Sequence, residues 1–343
     1  MKNPISEFNK AEELKRNGKY EEAAAIFISL ENVKEVAPIC YYMLAQISNM
    51  THDPVTAYNL YYKAFSAEPG IARQIYGSEH SSRDYVFRGK KKERRNTDCP
   101  LCGGRGEPHW CYPLPEAAGY NKFFNPIRMW LRCSDCNHLF AQDFPEKLFI
   151  YNNSPRTANP AFFSYYSNVL SKMRQYAGGM RLFEVGIGAC ECLLAAREIG
   201  YETFGIDVIE RHVKDARDKF GLSVEARDFV EYETDQKYDV IIMGDVLEHV
   251  SDPICAVAKA NELLEENGAL WISTPNFESA FSLVAGHDDA MRRQQYHLNY
   301  FSRDSLYKLL LDNNLAPVDY QISNHYNGSM EVISIKQERL ANI

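Results

Sequence analysis

The sequence predicts an α/β fold with a parallel sheet for the C-terminal part of the chain, preceded by an all-helical part and a short part rich in cysteine. Three observations predict this order. Apolar positions recur at helical spacing up to about residue 80, two C-x2-C pairs follow, and short apolar runs alternate with amphipathic stretches from Met180 onward. That alternation is typical of βαβ units, whose strands are parallel. We therefore divide the chain into residues 1–95, 96–155 and 156–343.

Length and composition limit the class of protein. The 343 residues exceed the usual size of one hydrophobic core, and 45% apolar with 24% charged residues is typical of a globular protein. No apolar run is long enough to cross a bilayer, and the N-terminus lacks the apolar segment of a secretory signal, so we expect a cytoplasmic protein without membrane contact. The net charge of −8 argues against a nucleic-acid partner. The basic run RGKKKERR, residues 88–95, is interpreted as a solvated linker, with binding of an anionic partner as the alternative.

A period of 34 residues runs through the helical part. Three positions recur one period later: Ala11, Ala23 and Phe27 as Ala45, Ala57 and Tyr61. The stretch from Leu14 to Phe27, with Gly18 and Tyr20 at its turn, resembles a tetratricopeptide repeat, whereas His52 and Pro54 depart from that pattern in the second copy. Two repeats are too few for a free-standing solenoid, so we expect this module to pack on its neighbours. Its role is either stability or dimerisation, or the binding of a protein partner.

The two C-x2-C pairs predict a structural zinc site. Their four thiolates, from Cys99, Cys102, Cys133 and Cys136, would complete a tetrahedral shell and leave no open position for water. Gly103, Gly104 and Asn137 supply the residues that tight turns after such pairs require. The spacing of the alternative ligands is less suitable: His109, Cys111 and His138. We therefore expect a small zinc ribbon over residues 96–155.

The βαβ part carries acidic and glycine residues where successive predicted strands end. Glu184, Gly186 and Gly188 follow the first strand, and Asp207 ends the second, where a carboxylate would accept hydrogen bonds from two ribose hydroxyls. The third strand is followed by the pair Asp228-Phe229, and the fourth ends at the pair Gly244-Asp245. In open α/β sheets, ligands bind outside the carboxyl ends of the strands. If these residues do not bind a ligand, they are strand-end caps.

This succession of motifs resembles class I S-adenosylmethionine-dependent methyltransferases over about residues 156–343. The resemblance implies a Rossmann-like seven-stranded domain that binds S-adenosylmethionine. It assigns Glu184, Gly186 and Gly188 to the methionine part of the cofactor, Asp207 to the ribose, Asp228 and Phe229 to the adenine, and Gly244 and Asp245 to the sulfonium end. Cys190 stands where the family usually has a third glycine. A zinc ribbon before such a domain resembles the arrangement in several bacterial sugar and natural-product methyltransferases.

Two histidines are candidates for the general base that an alcohol, phenol or amine acceptor would need. His249 lies in the stretch EHVSDP, which resembles many small-molecule members of the family, and His297 lies in YHLNYFS after the fifth predicted strand. Each also has a structural alternative, because His249 would cap a helix or pack on the sheet and His297 would anchor a lid. The segment between the fifth strand and His297 is expected to be irregular, and its Arg292 and Arg293 either bind an acceptor anion or lie on a solvated face.

The sequence therefore predicts methyl transfer from S-adenosylmethionine to a small-molecule or glycan-related acceptor. One alternative is a protein or peptide acceptor recruited by the helical module. A second is a scaffold with a vestigial cofactor fold, for which Cys190 is the hint. A third, modification of nucleic acid through the ribbon and the basic run, is disfavoured by the acidic net charge.

Overall fold

A computed structural model describes residues 3–117, 119–145 and 156–340. The N-terminal part consists of five helices: α1 (Pro4–Arg16), α2 (Tyr20–Ser29), α3 (Ala37–Met50), α4 (Pro54–Ala67) and α5 (Ala72–Ile75). The positions of the 34-residue period are buried: Ala11, Ala23, Phe27, Ala45, Ala57 and Tyr61. The two copies therefore form equivalent helical hairpins, while their membership of the tetratricopeptide family stays a prediction.

The turns of the two hairpins have the same backbone conformation despite their different residues. Gly18 has φ +74° and His52 has φ +63°, so both are left-handed. In the second copy Asp53 caps α4, because its side chain accepts a hydrogen bond of 3.0 Å from the Thr56 amide. Pro54 then occupies the first helical position, where proline is favoured. The departures at His52 and Pro54 thus preserve the turn.

Five short strands follow, the first at the end of the basic run and the other four in the Cys-rich part: β1 (Arg94–Arg95), β2 (Gly106–Pro113), β3 (Ile127–Cys133), β4 (Leu139–Ala141) and β5 (Asp143–Phe144). Strands β2, β3 and β4 form an antiparallel sheet, and β1 pairs with β5. The buried Asn49 side chain of α3 donates to the Cys111 carbonyl of β2 and accepts from its amide. In the basic run, the Lys90 ammonium lies 3.8 Å from the centre of the Tyr62 ring of α4. The helices and the strands are therefore packed together.

The C-terminal part begins with α6 (Pro160–Met173) and continues as an alternation of strands and helices: β6 (Arg181–Val185), α7 (Glu191–Glu198), β7 (Glu202–Asp207), α8 (Glu210–Phe220), β8 (Val224–Ala226), β9 (Tyr238–Gly244), α9 (Pro253–Leu263), β10 (Leu264–Pro275), α10 (Ala280–Ala285), β11 (Asn299–Tyr300), α11 (Arg303–Asp312), β12 (Leu315–Ile322), β13 (Ser329–Lys336) and α12 (Gln337–Leu340). The segment predicted to be irregular thus contains the short helix α10. Within the described residues, no helix is both long enough and apolar enough to cross a membrane.

A seven-stranded sheet in the order β12-β13-β10-β9-β6-β7-β8 is the centre of this part. Strands β10, β9, β6, β7 and β8 are parallel, and β13 is antiparallel to both of its neighbours. The predicted Rossmann-like sheet of seven strands is confirmed. From the central β6 the chain moves outward to β7 and β8, then returns to the other side at β9. This reversal of direction opens a crevice at the carboxyl ends of β6 and β9.

Strand β11 belongs to a different sheet from the elements around it. Its residues Asn299 and Tyr300 pair with Phe140 and Leu139 of β4, so the sheet of the Cys-rich part has the order β11-β4-β3-β2. The Cys-rich part and the α/β part therefore share one sheet. The predicted boundary at residue 155 lies outside the described residues.

Candidate active site

A cleft of about 1790 Å³ opens at the carboxyl ends of the parallel strands. It is lined by all eight residues predicted to bind a cofactor and by both candidate bases: Glu184, Gly186, Gly188, Asp207, Asp228, Phe229, Gly244, Asp245, His249 and His297. The eight cofactor candidates and His249 come together because each lies at or shortly after the carboxyl end of a strand, at the same edge of the sheet, whereas the loop before β11 contributes His297. Their individual roles stay predictions.

The turn after β6 is shaped by three left-handed residues. Gly186 has φ +77°, Gly188 has φ +51° and Cys190 has φ +72°. Cys190 therefore adopts the conformation that a glycine would adopt most easily at the position of the expected third glycine. Its thiol is buried, and this burial raises its pKa to about 12, so the thiol is neutral at physiological pH. The sulfur fills space beside the turn without adding charge.

Glu184 brings a buried carboxyl group to the cleft. Its side chain is only 4% exposed, and burial raises its pKa, with further contributions from the negative charges of Glu191 and Asp207. Its Oε2 atom has no hydrogen-bond partner among the described residues. A buried acid with an unsatisfied oxygen beside two other acids favours a cationic ligand.

Asp207 holds the glycine turn in place. Its carboxylate accepts hydrogen bonds from the Gly188 amide at 3.1 Å and from the Ile209 amide at 2.8 Å. The Nδ1 atom of His212 lies 3.3 Å from the same carboxylate. His212 was missed by the sequence analysis, although its position on the helix after Asp207 is a signal that could have found it. Asp207 therefore links the ends of β6 and β7.

The two residues predicted to contact adenine have different environments. Asp228 is exposed and accepts a hydrogen bond of 3.0 Å from the Val230 amide. Phe229 is buried, with its ring centre 6.0 Å from that of Phe183 in the core. Both line the cleft, but Phe229 is also part of the packing of the sheet.

The turn after β9 adds two acids of raised pKa. Asp245 has φ +53° and accepts a hydrogen bond of 3.1 Å from the Ser273 hydroxyl, and burial raises its pKa to about 6. A side chain at Gly244 would place Cβ 3.3 Å from the Trp271 ring, so the position suits glycine. Glu248 is buried, accepts from the Thr274 hydroxyl at 3.0 Å and has a pKa well above the usual range because of burial. Glu248 also lines the cleft.

The two candidate bases lie side by side, with ring centres 4.8 Å apart. Nδ1 of His249 is 3.1 Å from the Tyr296 carbonyl oxygen, and Nδ1 of His297 is 3.1 Å from that of Met291. A carbonyl oxygen only accepts, so each Nδ1 carries the proton and each Nε2 is the basic atom. Burial lowers the pKa of His249 to about 4 and that of His297 well below its usual value, in the latter case also because of His249. Both rings are therefore neutral at physiological pH.

The two histidines also form a cluster with Glu248. A carboxylate oxygen of Glu248 and one ring nitrogen each of His249 and His297 lie within 4.8 Å of one another. These three residues are thus close enough to hold a cation as well as a proton.

Part of the cleft lining is aromatic. Phe162, Tyr166, His325 and Tyr326 line it, and the His325 ring centre is 3.9 Å from that of Phe162 and 4.0 Å from that of Tyr326. Flat apolar surfaces of this kind suit planar ligands.

Arg292 and Arg293 do not line the cleft. Arg292 lies 3.8 Å from the carboxylate of the buried Asp289, and Arg293 lies 3.1 Å from that of Asp288. Both arginines are therefore near acids of their own loop, which does not favour an anion site for the acceptor.

The four cysteines predicted to bind zinc form one cluster, with their Sγ atoms within 4.8 Å of one another. The Cys99–Cys136, Cys102–Cys133 and Cys102–Cys136 pairs of Sγ atoms are each 3.5 Å apart. Four sulfurs about 2.3 Å from a central zinc would be about 3.8 Å from one another, so the cluster fits this ion. Gly103 and Asn137 follow the two pairs with φ +72° and +59°. The alternative ligands lie elsewhere, and His138 instead approaches the Asn299 side chain at 3.1 Å.

Comparison with known proteins gives the family of the α/β part. Residues 151–320 match the family model that describes a methyltransferase domain. The chain contains a methyltransferase domain. The predicted resemblance to class I methyltransferases is confirmed at the level of family and fold.

Several curated relatives of the methyltransferase domain are ubiquinone biosynthesis O-methyltransferases. That of Bradyrhizobium diazoefficiens is 30% identical over 153 residues, which cover 40% of this chain and 59% of the relative. That of Actinobacillus pleuropneumoniae is 32% identical over 121 residues, which cover 31% and 52%. The chain therefore spans between half and three fifths of the length of these two relatives. Among solved structures, an N-methyltransferase of Bradyrhizobium japonicum in complex with S-adenosyl-L-homocysteine has a TM-score of 0.41 and 16% identity, and the match covers 52% of this chain and 88% of that protein.

Proposed function

We propose that the methyltransferase domain transfers a methyl group from S-adenosylmethionine to a hydroxyl group of a small-molecule acceptor. The observation that carries this proposal is one cleft that contains both an acidic turn suited to a cationic cofactor and a pair of neutral histidines. A site that only bound the cofactor would not need the pair of neutral histidines. The vestigial-scaffold alternative is weakened because Cys190 keeps the left-handed backbone of the turn.

The residues of the cleft fit S-adenosylmethionine. The free oxygen of Glu184 suits the ammonium of the cofactor's methionine part, and the flexible turn at Gly186 and Gly188 lets the backbone approach it. Asp207 would accept from the ribose hydroxyls with lone pairs that its bonds to the Gly188 and Ile209 amides leave unused. The bound cofactor supplies an electrophilic methyl group on a sulfonium. The protein must therefore align the acceptor and accept its proton.

His249 is the better of the two bases on this geometry. Both histidines line the cleft, but His249 is partly exposed, whereas His297 is only 6% exposed and its Nδ1 faces the Met291 carbonyl. Nε2 of His249 would take the acceptor proton, and the buried Glu248 beside it would stabilise the imidazolium when ionised. The aromatic part of the cleft lining supports an acceptor with a planar ring. The names of the curated relatives support an oxygen acceptor.

We further propose that Cys99, Cys102, Cys133 and Cys136 hold a structural zinc ion. Such an ion would fasten the turn before β2 to the turn after β3, which meet at the same end of this hairpin. No part of the methyl transfer requires it. Nothing in residues 3–95 supports a protein acceptor over a small molecule, and the peptides in the panel below test that alternative.

The test is methyl transfer from S-[methyl-³H]adenosylmethionine by the full-length protein to a panel of catechols, hydroxybenzoates, nucleotide sugars and peptides. We expect transfer to a phenolic hydroxyl, and a fall in kcat of about 100-fold or more in the His249→Ala variant, which is the usual contribution of a general base. Lys214→Ala, on the exposed face of α8, is the matched control. Transfer only to sugars or peptides would contradict the acceptor class, and full activity of His249→Ala would contradict the assignment of the base.

A further inference from the structure

Arg128 lies on β3 in the Cys-rich part, but its guanidinium reaches the loop that carries His297. Nη1 donates to the His297 carbonyl oxygen at 2.7 Å, and Nη2 donates to the Gln295 carbonyl oxygen at 2.9 Å. The residue is only 2% exposed, and the rings of Phe124 and Trp130 are centred 5.9 and 5.8 Å from its Cζ atom. The planar fork of a guanidinium suits two carbonyl oxygens in fixed positions.

A salt bridge does not explain this buried charge. Throughout residues 3–117, 119–145 and 156–340, no carboxylate forms an ion pair with Arg128. Glu93 and Asp143 attract its charge from beyond ion-pair distance, and burial has the larger effect and lowers its pKa. A buried charge without a direct ion-pair partner lowers stability relative to an apolar side chain. The two carbonyl oxygens are therefore what this side chain is placed to bind.

The Tyr296 carbonyl, which lies in the chain between the carbonyls of Gln295 and His297, orients His249. The oxygens of Gln295 and His297 bind Arg128, and the oxygen of Tyr296 is 3.1 Å from Nδ1 of His249. Peptide planes are rigid, so fixing the planes on both sides limits the rotation of the plane between them. That plane keeps the proton of His249 on Nδ1 and leaves Nε2 free to accept one.

Other contacts from the Cys-rich part hold the same loop. The Gln295 side chain accepts from the Asn121 amide at 2.6 Å and donates to the Gly119 carbonyl at 2.8 Å. The indole of Trp130 donates to the Arg292 carbonyl at 3.0 Å. The loop that faces the acceptor is therefore held from outside the methyltransferase domain.

We propose that Arg128 is a positioning residue, which sets the tautomer and orientation of His249 through the Tyr296 carbonyl. It touches neither the cofactor nor the acceptor. This inference rests on the proposed role of His249 as a base. In this proposal the Cys-rich part helps to orient the base for methyl transfer, in addition to forming its own fold.

The experiment measures the histidine tautomers directly in the full-length protein without a ligand. The protein is labelled with ¹⁵N-histidine, His249→Ala assigns the His249 signals, and the long-range ¹H–¹⁵N spectrum distinguishes a protonated Nδ1 from a protonated Nε2. The wild type is expected to show His249 with a protonated Nδ1. In Arg128→Gln the His249 signals are expected to move towards the average of the two tautomers, because the Tyr296 carbonyl is no longer fixed.

Arg128→Lys serves as the conservative variant, and Arg105→Gln, whose guanidinium is exposed, serves as the control for loss of charge in the same part of the chain. A lysine cannot bind both carbonyl oxygens in the fork geometry, so we expect an intermediate spectrum for Arg128→Lys. S-adenosylhomocysteine affinity should stay within about twofold of the wild type in both Arg128 variants. The control should match the wild type in both measurements.

Two results would overturn the inference. A wild-type His249 spectrum in folded Arg128→Lys or Arg128→Gln would show that the tautomer does not depend on Arg128. Loss of S-adenosylhomocysteine binding in Arg128→Lys would show a role in the fold as a whole instead. Failure of the proposed function would look different: the wild-type protein would bind no S-adenosylhomocysteine, or His249→Ala would keep full activity, and in both cases the histidine spectra would be as expected.

Discussion

The replacement Glu184→Gln tests the cofactor end of the cleft with the smallest change in shape. It removes the ability to ionise from a buried carboxyl whose Oε2 atom is without a partner among the described residues. S-adenosylhomocysteine keeps the ammonium group but lacks the sulfonium, so its binding isolates this one contact. A hydrogen bond to a charged group contributes about 1.5–3 kcal/mol, and the dissociation constant should therefore rise about 10- to 150-fold.

The raised pKa of Glu184 adds a dependence on pH. Burial and the charges of Glu191 and Asp207 keep a proton on this carboxyl in the free protein above the ordinary glutamate pKa of about 4.3. An ammonium ligand needs the ionised form, so binding should release a proton and become tighter as pH rises above that value towards the raised pKa. In the glutamine variant this dependence should be lost.

The raised pKa of Glu184 also predicts how the stability of the protein depends on pH. Because the native state holds this proton more tightly than the unfolded state, the Glu184 contribution to the free energy of unfolding falls as pH rises above about 4.3. Without ligand, Glu184→Gln should therefore melt at the same temperature as the wild type at neutral pH, or at a higher one.

Isothermal titration calorimetry from pH 5 to 9, in two buffers of different ionisation enthalpy, measures both the affinity and the released proton. Glu198→Gln removes the same charge from the exposed face of α7 and is the matched control. Wild-type affinity in Glu184→Gln, or a wild-type affinity that is independent of pH, would refute this reasoning. A variant that loses binding together with a large fall in melting temperature would refute it as well, because the effect would then be unfolding.

Three further changes test other parts of the molecule. The wild type should contain about one zinc ion per chain by mass spectrometry, and removal of the ion by a chelator or by Cys133→Ser should lower both this content and the melting temperature. A wild-type protein purified under reducing conditions with no bound zinc would contradict the site. Cys190→Gly should leave S-adenosylhomocysteine affinity unchanged and relieve left-handed strain of about 1 kcal/mol, so a clear loss of affinity would show that the sulfur has a role of its own. Asn49→Ala leaves the buried Cys111 amide and carbonyl without the Asn49 side chain, so it should lower the free energy of unfolding by about 1–3 kcal/mol in urea titrations. A change below about 0.3 kcal/mol would contradict the importance of this contact.

Local patterns were sufficient to predict most of the α/β part. Strand β9 has a continuous apolar run, and the acids and glycines at the carboxyl ends of β6 and β9 all lie in one cleft because parallel strands present those ends at the same edge. The left-handed backbone at Cys190 was foreseeable from its place in the glycine motif. These features depend on residues that are close in sequence.

Features that depend on distant pairings could not be predicted in the same way. Strand β11 has two residues and no periodicity, and its partner β4 precedes it by about 160 residues. The orientation of His249 depends on the carbonyl of Tyr296, which has no side-chain signal. One signal was available for Arg128, because a charged residue between the apolar residues Ile127 and Met129 of a strand indicates a specific partner.

The pairing of β11 with β4 also affects how the chain can reach its native state during synthesis. The edge of β4 stays without its partner until residues 299–300 have left the ribosome, long after the Cys-rich part itself has been made. An open strand edge is a template for association with other chains, so this interval is the period in which the nascent protein is most exposed to aggregation. For the same reason, residues 88–145 produced alone would keep that edge permanently open, and the shortest piece that closes it extends beyond Tyr300.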